Sequence, residues 1–537
     1  MAVNFWRRPK SGRSTIYARK GIVATSQSLA TSTGLKMLQA GGSACDAAIS
    51  MAAVLNVVEP NSTGIGGDAF ALLYIPGETI KGINGSGYSP WGLSYDYLIE
   101  EMNLSTMPLT GVIPITVPGA LSAWEMIHEE YGRMPWFDIF QPAIHYAREG
   151  FPVSPIIAQT WNELSPKLLR HEGARETYLI DGNRAPIAGE IIKQESLAST
   201  LDLIAKEGAS VFYRGVLADR IEEFMQEEGG FLKSSDLKNF RADWTKPIFR
   251  EVYNTLLWEH GPNGQGIITL MILAIAEELD IGRYTHNSAD YLHCLIEAKK
   301  LAFSDGFAHI AEPDNMVIPI SKFLSEEYAQ TRASQINPIK AIDTQPLPID
   351  MGDDTVYLTA ADSEGYVVSF INSLFHGFGS GLVDPKTGIT FQNRGAGFSL
   401  QNGHPNQFEP HKRPYHTIIP GMITDTENRL LYSFGVMGGH HQPQGQAQVF
   451  LNLILHGLDP QEAIECPRFH HDQGRNVVAL EAPISLGERS TLRKLNHKII
   501  DCIGENFGGG QIIKQDVING SYSAGSDPRK DGQAQGY

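Results

Sequence analysis

Cysteine is scarce in this sequence, and long hydrophobic runs are absent. Only 4 of the 537 residues are cysteines, and none of them has CxxC spacing. This scatter argues against a disulfide framework or a zinc ribbon and favours reduced thiols in a cytoplasmic protein. The N-terminal region lacks the apolar core of a signal peptide, and the longest apolar stretch, residues 47–58, is too short to cross a bilayer. We therefore expect no membrane partner.

Positive charge is also in deficit. The chain has 43 Lys and Arg against 60 Asp and Glu, which gives a formal net charge of −17 at pH 7. An acidic protein repels phosphate backbones, so we expect no nucleic-acid partner. The one dense basic run, within residues 7–20, is interleaved with Ser and Gly, and we interpret it as a solvated tail or lead-in strand.

Two familiar motifs are missing as well. No serine stands in the GxSxG pattern of a nucleophile elbow, because Phe378 occupies the glycine position that Ser380 would need. Residues 64–69 fit a degenerate GxGxxA pattern, but a helix is predicted before them and a strand after them. Dinucleotide-binding loops need the reverse order, so we expect no cofactor.

What is present divides into a mostly helical first part and a β-rich second part. Apolar residues on nearly every face predict a buried helix over residues 44–58. Near residue 350 the pattern changes, after a loop that contains proline. Two runs, 355–361 and 366–374, then flank the turn Asp362-Ser-Glu-Gly365 and predict a hairpin. Helices and strands that arrive in blocks indicate layered α and β packing.

Thr355 is the most informative residue, because it stands where this pattern changes. A threonine hydroxyl is a weak nucleophile without a neighbouring base. Cutting the bond after Asp354 would give Thr355 both a hydroxyl and an α-amine with a pKa of about 7.7–8.0 to act as base. In the predicted hairpin residue 355 lies opposite about residue 372, which places the Ser373 hydroxyl within one residue of Thr355.

Two further groups carry candidate chemistry. Consecutive glycines at Gly438 and Gly439 let backbone N–H groups converge as in an oxyanion hole, although an ordinary strand-end turn fits equally well. The pairs His440-His441 and His470-His471 could hold zinc, but they lack the i, i+4 spacing of a helical zinc site. We favour surface or supporting histidines and expect no metal, with a zinc-dependent hydrolase as the alternative from another class.

A set of ordered segments resembles the γ-glutamyltransferase family of N-terminal nucleophile hydrolases over nearly the whole chain. In Asn393-Arg394-Gly395 and His416-Thr417, the sequence is similar to the branch of cephalosporin acylases and oxamate amidohydrolase. The segments that carry the family resemblance are residues 21–25, 41–47, 58–60, 64–67, 117–119, 292–303, 378–381, 467–469 and 526–532.

The resemblance implies an α+β fold, a four-layer αββα sandwich. It implies a proenzyme that cuts itself between Asp354 and Thr355 into residues 1–354 and 355–537, two subunits interwoven in one domain, which can assemble further. Thr355 would be the nucleophile, its freed amine the base, and Ser373 the supporting hydroxyl. Gly438 and Gly439 would form the oxyanion hole.

Departures from the family pattern bear on the substrate. Tyr88 replaces an arginine common in the branch, Phe375 replaces an asparagine of the γ-glutamyl enzymes, and His416-Thr417 replaces their serine pair. Arg394 is an added cation that could hold a carboxylate bidentately. We expect these residues to bind a small acyl amide that carries a carboxylate. A true γ-glutamyltransferase acting on glutathione and an unprocessed, inactive binding protein are the alternatives.

Overall fold

The computed structural model describes residues 12–343, 354–500 and 507–537. The predicted border near residue 350, Asp353, Cys502 and the start of the basic run lie outside these residues. The strands, numbered along the chain, are β1 (Ile16–Ala18), β2 (Ile22–Thr25), β3 (Asp68–Tyr74), β4 (Lys81–Gly85), β5 (Phe151–Pro152), β6 (Ile191–Ile192), β7 (Asp243–Thr245), β8 (Ile248–Val252), β9 (Thr255–Glu259), β10 (Asp354–Ala361), β11 (Val367–Phe375), β12 (Val383–Asp384), β13 (Ile389–Thr390), β14 (Gly421–Thr424), β15 (Leu430–Met437), β16 (Phe469–Asp472), β17 (Val477–Leu480), β18 (Ile499–Ile500), β19 (Gly509–Gln515), β20 (Tyr522–Ser526) and β21 (Gln533–Gly536). The α-helices are α1 (Ser28–Gln39), α2 (Ala44–Val58), α3 (Ala120–Tyr131), α4 (Trp136–Glu149), α5 (Pro155–Leu168), α6 (Glu172–Tyr178), α7 (Glu195–Glu207), α8 (Ser210–Tyr213), α9 (Val216–Glu227), α10 (Ser234–Lys238), α11 (Gly266–Glu278), α12 (Ala289–His309), α13 (Ile320–Phe323), α14 (Glu326–Ser334), α15 (Gln442–Ile454), α16 (Pro460–Glu465) and α17 (Leu486–Lys494).

Two seven-stranded antiparallel sheets face each other at the centre of the molecule. The strand order of the first sheet is β21-β2-β10-β11-β3-β4-β7, and that of the second is β1-β20-β19-β15-β14-β9-β8. The sheets meet where the hydroxyl of Thr359 on β10 lies 2.7 Å from that of Ser433 on β15. Both strands are central in their sheets, so β10 is buried on both faces.

Helices cover the outer faces of both sheets. The first sheet packs against a core that includes α2 and α4, and the second against α11, α12 and α15. Helix α2 matches the predicted buried helix over residues 44–58, and all of its residues are buried. Ser43 and Asp46 form a capping box that fixes its start. The four layers confirm the expected α+β sandwich. None of the helices in the described ranges is long and apolar enough to cross a membrane.

Strands β10 and β11 form the predicted hairpin, with a register shifted by one residue. Val356 pairs with Asn372, because the turn is centred on Glu364 rather than between residues 363 and 364. The Asp362 carboxylate fixes this turn by accepting the N–H groups of Glu364 and Tyr366. Near the start of β10 the register shifts again, which leaves residue 355 in a β-bulge.

Candidate active site

Thr355 and Ser373 face each other across the hairpin. Their hydroxyl oxygens are 3.1 Å apart and both side chains are buried, so the predicted contact is confirmed. Thr355 Oγ1 donates to the carbonyl oxygen of Asp354 at 2.6 Å, and Ser373 Oγ lies 3.0 Å from the same carbonyl oxygen. The N–H of Phe375 donates to Ser373 Oγ at 2.8 Å. Because the bulge interrupts regular pairing at Thr355, its hydroxyl reaches the peptide that precedes it.

Gly438 and Gly439 follow β15 at the same end of the sandwich as Thr355. The ring of Tyr357, two residues along β10 from Thr355, packs where Gly435 has no side chain. Thr355 and Tyr357 lie on the same face of β10, because side chains two residues apart on a strand share a face. Since Tyr357 packs at Gly435, the end of β15 lies at the same level of the sandwich as Thr355. The φ angles of Gly438 (125°) and Gly439 (51°) favour glycine, which explains the residue type at this turn. Their role as an oxyanion hole stays a prediction.

Arg394 is enclosed in the protein with part of its hydrogen-bonding capacity unused. It is 0% exposed, and its Nη1 donates to Thr417 Oγ1 at 2.7 Å. Its guanidinium lies 4.2 Å from the Phe375 ring centre, and its Nε lies 3.6 Å from Asp68 Oδ2. Among the described residues, Nε and Nη2 have no hydrogen-bond partner. Since a guanidinium is always charged, these donors can receive an anion.

Asp68 holds His416 and Arg394 together. His416 Nδ1 accepts the N–H of Ile418 at 3.3 Å, so its Nε2 carries the proton and donates to Asp68 Oδ2 at 2.9 Å. Burial, reinforced by Arg394, keeps the pKa of His416 well below its ordinary value, so the imidazole is neutral. Burial raises the pKa of Asp68 to about 7, although Arg394 opposes the shift. Burial also lowers the pKa of Arg394 to about 10.

The structure therefore gathers four of the five predicted substrate residues, Arg394, His416, Thr417 and Phe375. The fifth, Tyr88, has other neighbours. Its ring stacks on His411 at 4.3 Å and lies 4.4 Å from the Arg413 guanidinium. Its role in binding stays a prediction.

A cavity of about 800 Å³ opens beside this group. Phe375, Tyr415 and His440 line it on the side of the glycine turn, and Phe307 and Phe398 add aromatic surface. A concave space of this size, lined by aromatic residues together with polar side chains, has the character of a small-molecule site.

All four paired histidines are buried. Of the two expected positions, surface or supporting, the surface one is therefore wrong for His440, His441, His470 and His471. His440 lines the cavity, and His441 packs on His470 with ring centres 5.0 Å apart. Within the part of the chain that the structure describes, neither pair belongs to a group of three metal-type ligands.

Such a group is formed elsewhere by His293, Glu297 and His497. A histidine–histidine hydrogen bond of 2.8 Å and the Lys300 ammonium, 2.8 Å from Glu297 Oε1, already occupy it. The geometry of the histidines gives no support to a zinc-dependent hydrolase.

Sequence reasoning missed Asp68, Gln392 and Gln265. Gln392 donates to Asp68 Oδ1 at 3.0 Å. Gln265 donates to the carbonyls of Thr417 at 2.6 Å and Gly439 at 3.0 Å, and so ties the arginine site to the glycine turn. Asp68 could have been identified as a site residue from the sequence, because it ends the glycine-rich loop and begins a buried strand. No sequence pattern marks the two glutamines.

Comparison with known proteins identifies the family. The model of the γ-glutamyltranspeptidase family matches residues 30–537. The glutathione hydrolase-like YwrD proenzyme of Bacillus subtilis is 35% identical over 97% of this chain and 99% of its own. The oxamate amidohydrolase proenzyme of Klebsiella pneumoniae is 33% identical over 96% of this chain and 98% of its own.

Among solved structures, the cephalosporin acylase of Bacillus halodurans superimposes with a TM-score of 0.92. It is 41% identical, and the match covers 100% of this chain and 99% of the acylase. Family, relatives and fold agree on hydrolysis of amides by a protein made as a proenzyme. The chain belongs to the γ-glutamyltranspeptidase family and is a self-processing amide hydrolase.

Proposed function

We propose that the chain is cut between Asp354 and Thr355 and that Thr355 then acts as the nucleophile. The observation that carries this proposal is the position of the Thr355 hydroxyl, 2.6 Å from the Asp354 carbonyl oxygen and 3.1 Å from Ser373 Oγ. Residues 1–354 would form the large subunit and 355–537 the small subunit of a heterodimer.

Self-cleavage needs Thr355, the Asp354 carbonyl group, Ser373 and one water molecule. Thr355 Oγ1 attacks the carbonyl carbon of Asp354 and gives up its proton. The C–N bond breaks, the nitrogen takes a proton, and Asp354 is left as an ester on Oγ1. The amine of Thr355 is free from this step onward. Water then hydrolyses the ester, which leaves a carboxylate at Asp354 and restores the Thr355 hydroxyl. Ser373 supports the step by contacting both the hydroxyl and the carbonyl oxygen.

Turnover repeats the same attack on a substrate amide. The freed amine accepts the proton of Thr355 Oγ1, and the oxygen forms an acyl-enzyme with the substrate carbonyl. The N–H groups of Gly438 and Gly439 stabilise the negative oxygen of the tetrahedral intermediate. The leaving amine takes the proton, and water or an acceptor amine then releases the acyl group.

We further propose that the acyl group is small and carries a carboxylate that Arg394 binds. Nε and Nη2 of Arg394 are buried and donate no hydrogen bond to the described residues, although Nε lies 3.6 Å from Asp68 Oδ2. A carboxylate offers two acceptors in the matching geometry. The name of the Klebsiella relative, oxamate amidohydrolase, is consistent with such a substrate.

A γ-glutamyl substrate is the second candidate, because the Bacillus subtilis relative is named glutathione hydrolase-like. A γ-glutamyl group adds an α-ammonium to a carboxylate. The nearest anion, Asp68, already pairs with His416 at 2.9 Å and lies 3.6 Å from Arg394. An ammonium would therefore compete for an acceptor that is in use, which disfavours this candidate.

Three anilides that differ by one group test the substrate proposal. Butyryl, glutaryl and γ-glutamyl p-nitroanilide share the same leaving amine; the second adds a carboxylate to the first, and the third adds an α-ammonium to the second. We expect kcat/KM for the glutaryl anilide to exceed the other two by at least tenfold. Equal or faster turnover of the γ-glutamyl anilide would overturn the proposal.

We also propose that the enzyme works in the cytoplasm. Cys45 and Cys294 are free thiols, which supports a reducing compartment. Fractionation of the native host, with antibodies to the small subunit, tests this point.

A further inference from the structure

Phe375 stands between two compartments of the site. On one side lies the cavity of about 800 Å³, which Phe375 lines. On the other side lies the guanidinium of Arg394, 4.2 Å from the ring centre. Among the described residues, neither Arg394 nor Thr355 lines the cavity. The Phe375 ring is therefore part of the wall that separates the open space from the buried cation.

The backbone of Phe375 is fixed independently of the ring. Phe375 has a φ of 81°, a region that residues other than glycine adopt rarely. Its N–H donates to Ser373 Oγ at 2.8 Å, and the residue pairs with Asp354 across the hairpin. These backbone contacts do not involve the ring, so a change in the side-chain torsion angles of Phe375 need not move Thr355 or Ser373.

The ring lies against the Arg394 guanidinium and also lines the cavity. A buried cation with unused donors is unfavourable unless acceptors or another partner compensate. The face of Phe375 supplies a cation–π contact, which is weaker than a bidentate bond to a carboxylate. A carboxylate that reaches Nε and Nη2 from the cavity must displace the ring, and the cavity has room to receive it.

We propose that Phe375 is the gate of the carboxylate compartment. In the empty enzyme the ring covers Arg394; when a substrate enters, the ring turns into the cavity and the carboxylate replaces it on the guanidinium. The gate also limits the length of acyl chain that fits between Thr355 and Arg394. This inference rests on the proposed binding of a carboxylate by Arg394.

Chemical access to Arg394 tests the gate without any need for turnover. The purified protein is treated with 2,3-butanedione in borate, a small reagent for arginine, and modification of the peptide that contains Arg394 is followed by mass spectrometry. We expect Phe375→Ala to speed modification at least tenfold over wild type. Phe398→Ala, which enlarges the same cavity but leaves the cover of Arg394 intact, should match wild type within twofold.

A second variant keeps the experiment decisive if Phe375→Ala does not fold. Phe375→Leu removes the flat ring and keeps most of the volume, and it should fall between wild type and Phe375→Ala. Unchanged modification of Arg394 in whichever variant folds, judged by its circular dichroism and melting temperature, overturns the gate.

Selectivity for acyl length gives an independent measurement. Succinyl, glutaryl and adipyl p-nitroanilides extend the acyl chain by one carbon at a time. We expect Phe375→Ala to raise the ratio of kcat/KM for adipyl over succinyl at least tenfold, and Phe398→Ala to leave that ratio unchanged. An unchanged ratio in an active Phe375→Ala enzyme contradicts the length limit.

The two proposals fail in different ways. If wild type does not hydrolyse the glutaryl anilide but Phe375→Ala exposes Arg394 to butanedione, the gate stands and the substrate proposal falls. If the glutaryl anilide is hydrolysed and Arg394 is equally reactive in wild type and Phe375→Ala, the gate alone falls.

Discussion

Arg394 and Asp68 form a buried pair of charges. The hydrogen bonds that each residue already makes determine which of them can bind a substrate. Arg394 donates one hydrogen bond, to Thr417, and its Nε and Nη2 donate none to the described residues. Asp68, which lies 3.6 Å from Nε, already accepts hydrogen bonds from His416, Gln392 and a backbone N–H. Arg394 is therefore the member of the pair that can form further hydrogen bonds. A substrate carboxylate would complete its hydrogen bonds and share its charge with Asp68.

Removal of the Arg394 guanidinium should lower kcat/KM much more for a substrate with a carboxylate than for one without. Arg394→Met should lower kcat/KM for glutaryl p-nitroanilide by about a hundredfold, the order expected when one partner of a buried, hydrogen-bonded charge pair is lost. Butyryl p-nitroanilide should change less than threefold. Arg394→Lys keeps the positive charge but loses the two parallel N–H donors of the guanidinium. Its kcat/KM for the glutaryl anilide should therefore lie between those of wild type and Arg394→Met. Equal losses on both anilides would show that Arg394 acts only through the fold.

The pKa of Asp68 predicts a pH dependence of binding. Burial raises this pKa to about 7. A carboxylate on Arg394 lies near Asp68 and is repelled once Asp68 ionises, so KM for the glutaryl anilide should rise as the pH passes upward through about 7. The butyryl anilide, which has no carboxylate, is the control, and its KM should not rise over the same pH range. In Asp68→Asn the rise should disappear, and its persistence would assign the titration to another group.

The free energy of unfolding should also depend on pH through Asp68, and it should fall as Asp68 ionises. The folded pKa of Asp68 lies above its ordinary value of 3.8, so the native state keeps a proton that the unfolded chain has released. Its contribution to the free energy of unfolding therefore falls from about pH 4 to about pH 7 and is level above that. Urea unfolding of wild type and Asp68→Asn should show a shallower decline in the variant; parallel curves would contradict the assignment.

At the scale of elements, the hairpin of β10 and β11 was open to prediction and its distortion was not. Runs of residues typical of strands on both sides of Asp362–Gly365 identify the two strands, so the approach of Ser373 to Thr355 follows from the sequence. The bulge at Thr355 and the positive φ of Phe375 depend on tertiary packing, which no local pattern encodes. The convergence of Arg394, His416 and Asp68 likewise needs three distant segments to meet.

Gly435 tests how closely the two sheets must approach. A Cβ atom added there would lie within 3.0 Å of the Tyr357 ring, which is held between the layers. Gly435→Ala should therefore cost about 1–3 kcal/mol in the free energy of unfolding, the usual range for overpacking, and should slow self-cleavage. Gly487→Ala is the matched control, since its new methyl would touch only Ser485 at 3.6 Å. A neutral Gly435→Ala would show that the layers separate easily.

At the scale of the molecule, both sides of the proposed cut contribute to each sheet. In the first sheet, β2, β3, β4 and β7 precede Thr355, and β10, β11 and β21 begin at the cut or follow it. The four-layer fold was predictable only through the family resemblance, because block patterns of helices and strands do not specify strand order. Because the strands interleave, we expect a cut before Thr355 to leave the sandwich intact.

The two subunits should therefore stay together after cleavage. We expect the processed protein to elute from gel filtration as one species and to separate only in denaturant. Dissociation in native buffer would contradict the interwoven sheets.

The mass of the purified chain under denaturing conditions tests the central claim most directly. Wild type should give two fragments, the smaller with Thr355 at its N-terminus, and Thr355→Ala should give one intact chain. Thr355→Ser, which keeps a hydroxyl, should still be cut, and Ser373→Ala should be cut more slowly. An intact wild-type chain after long incubation, or a Thr355→Ala chain cut at the same bond, would contradict the account.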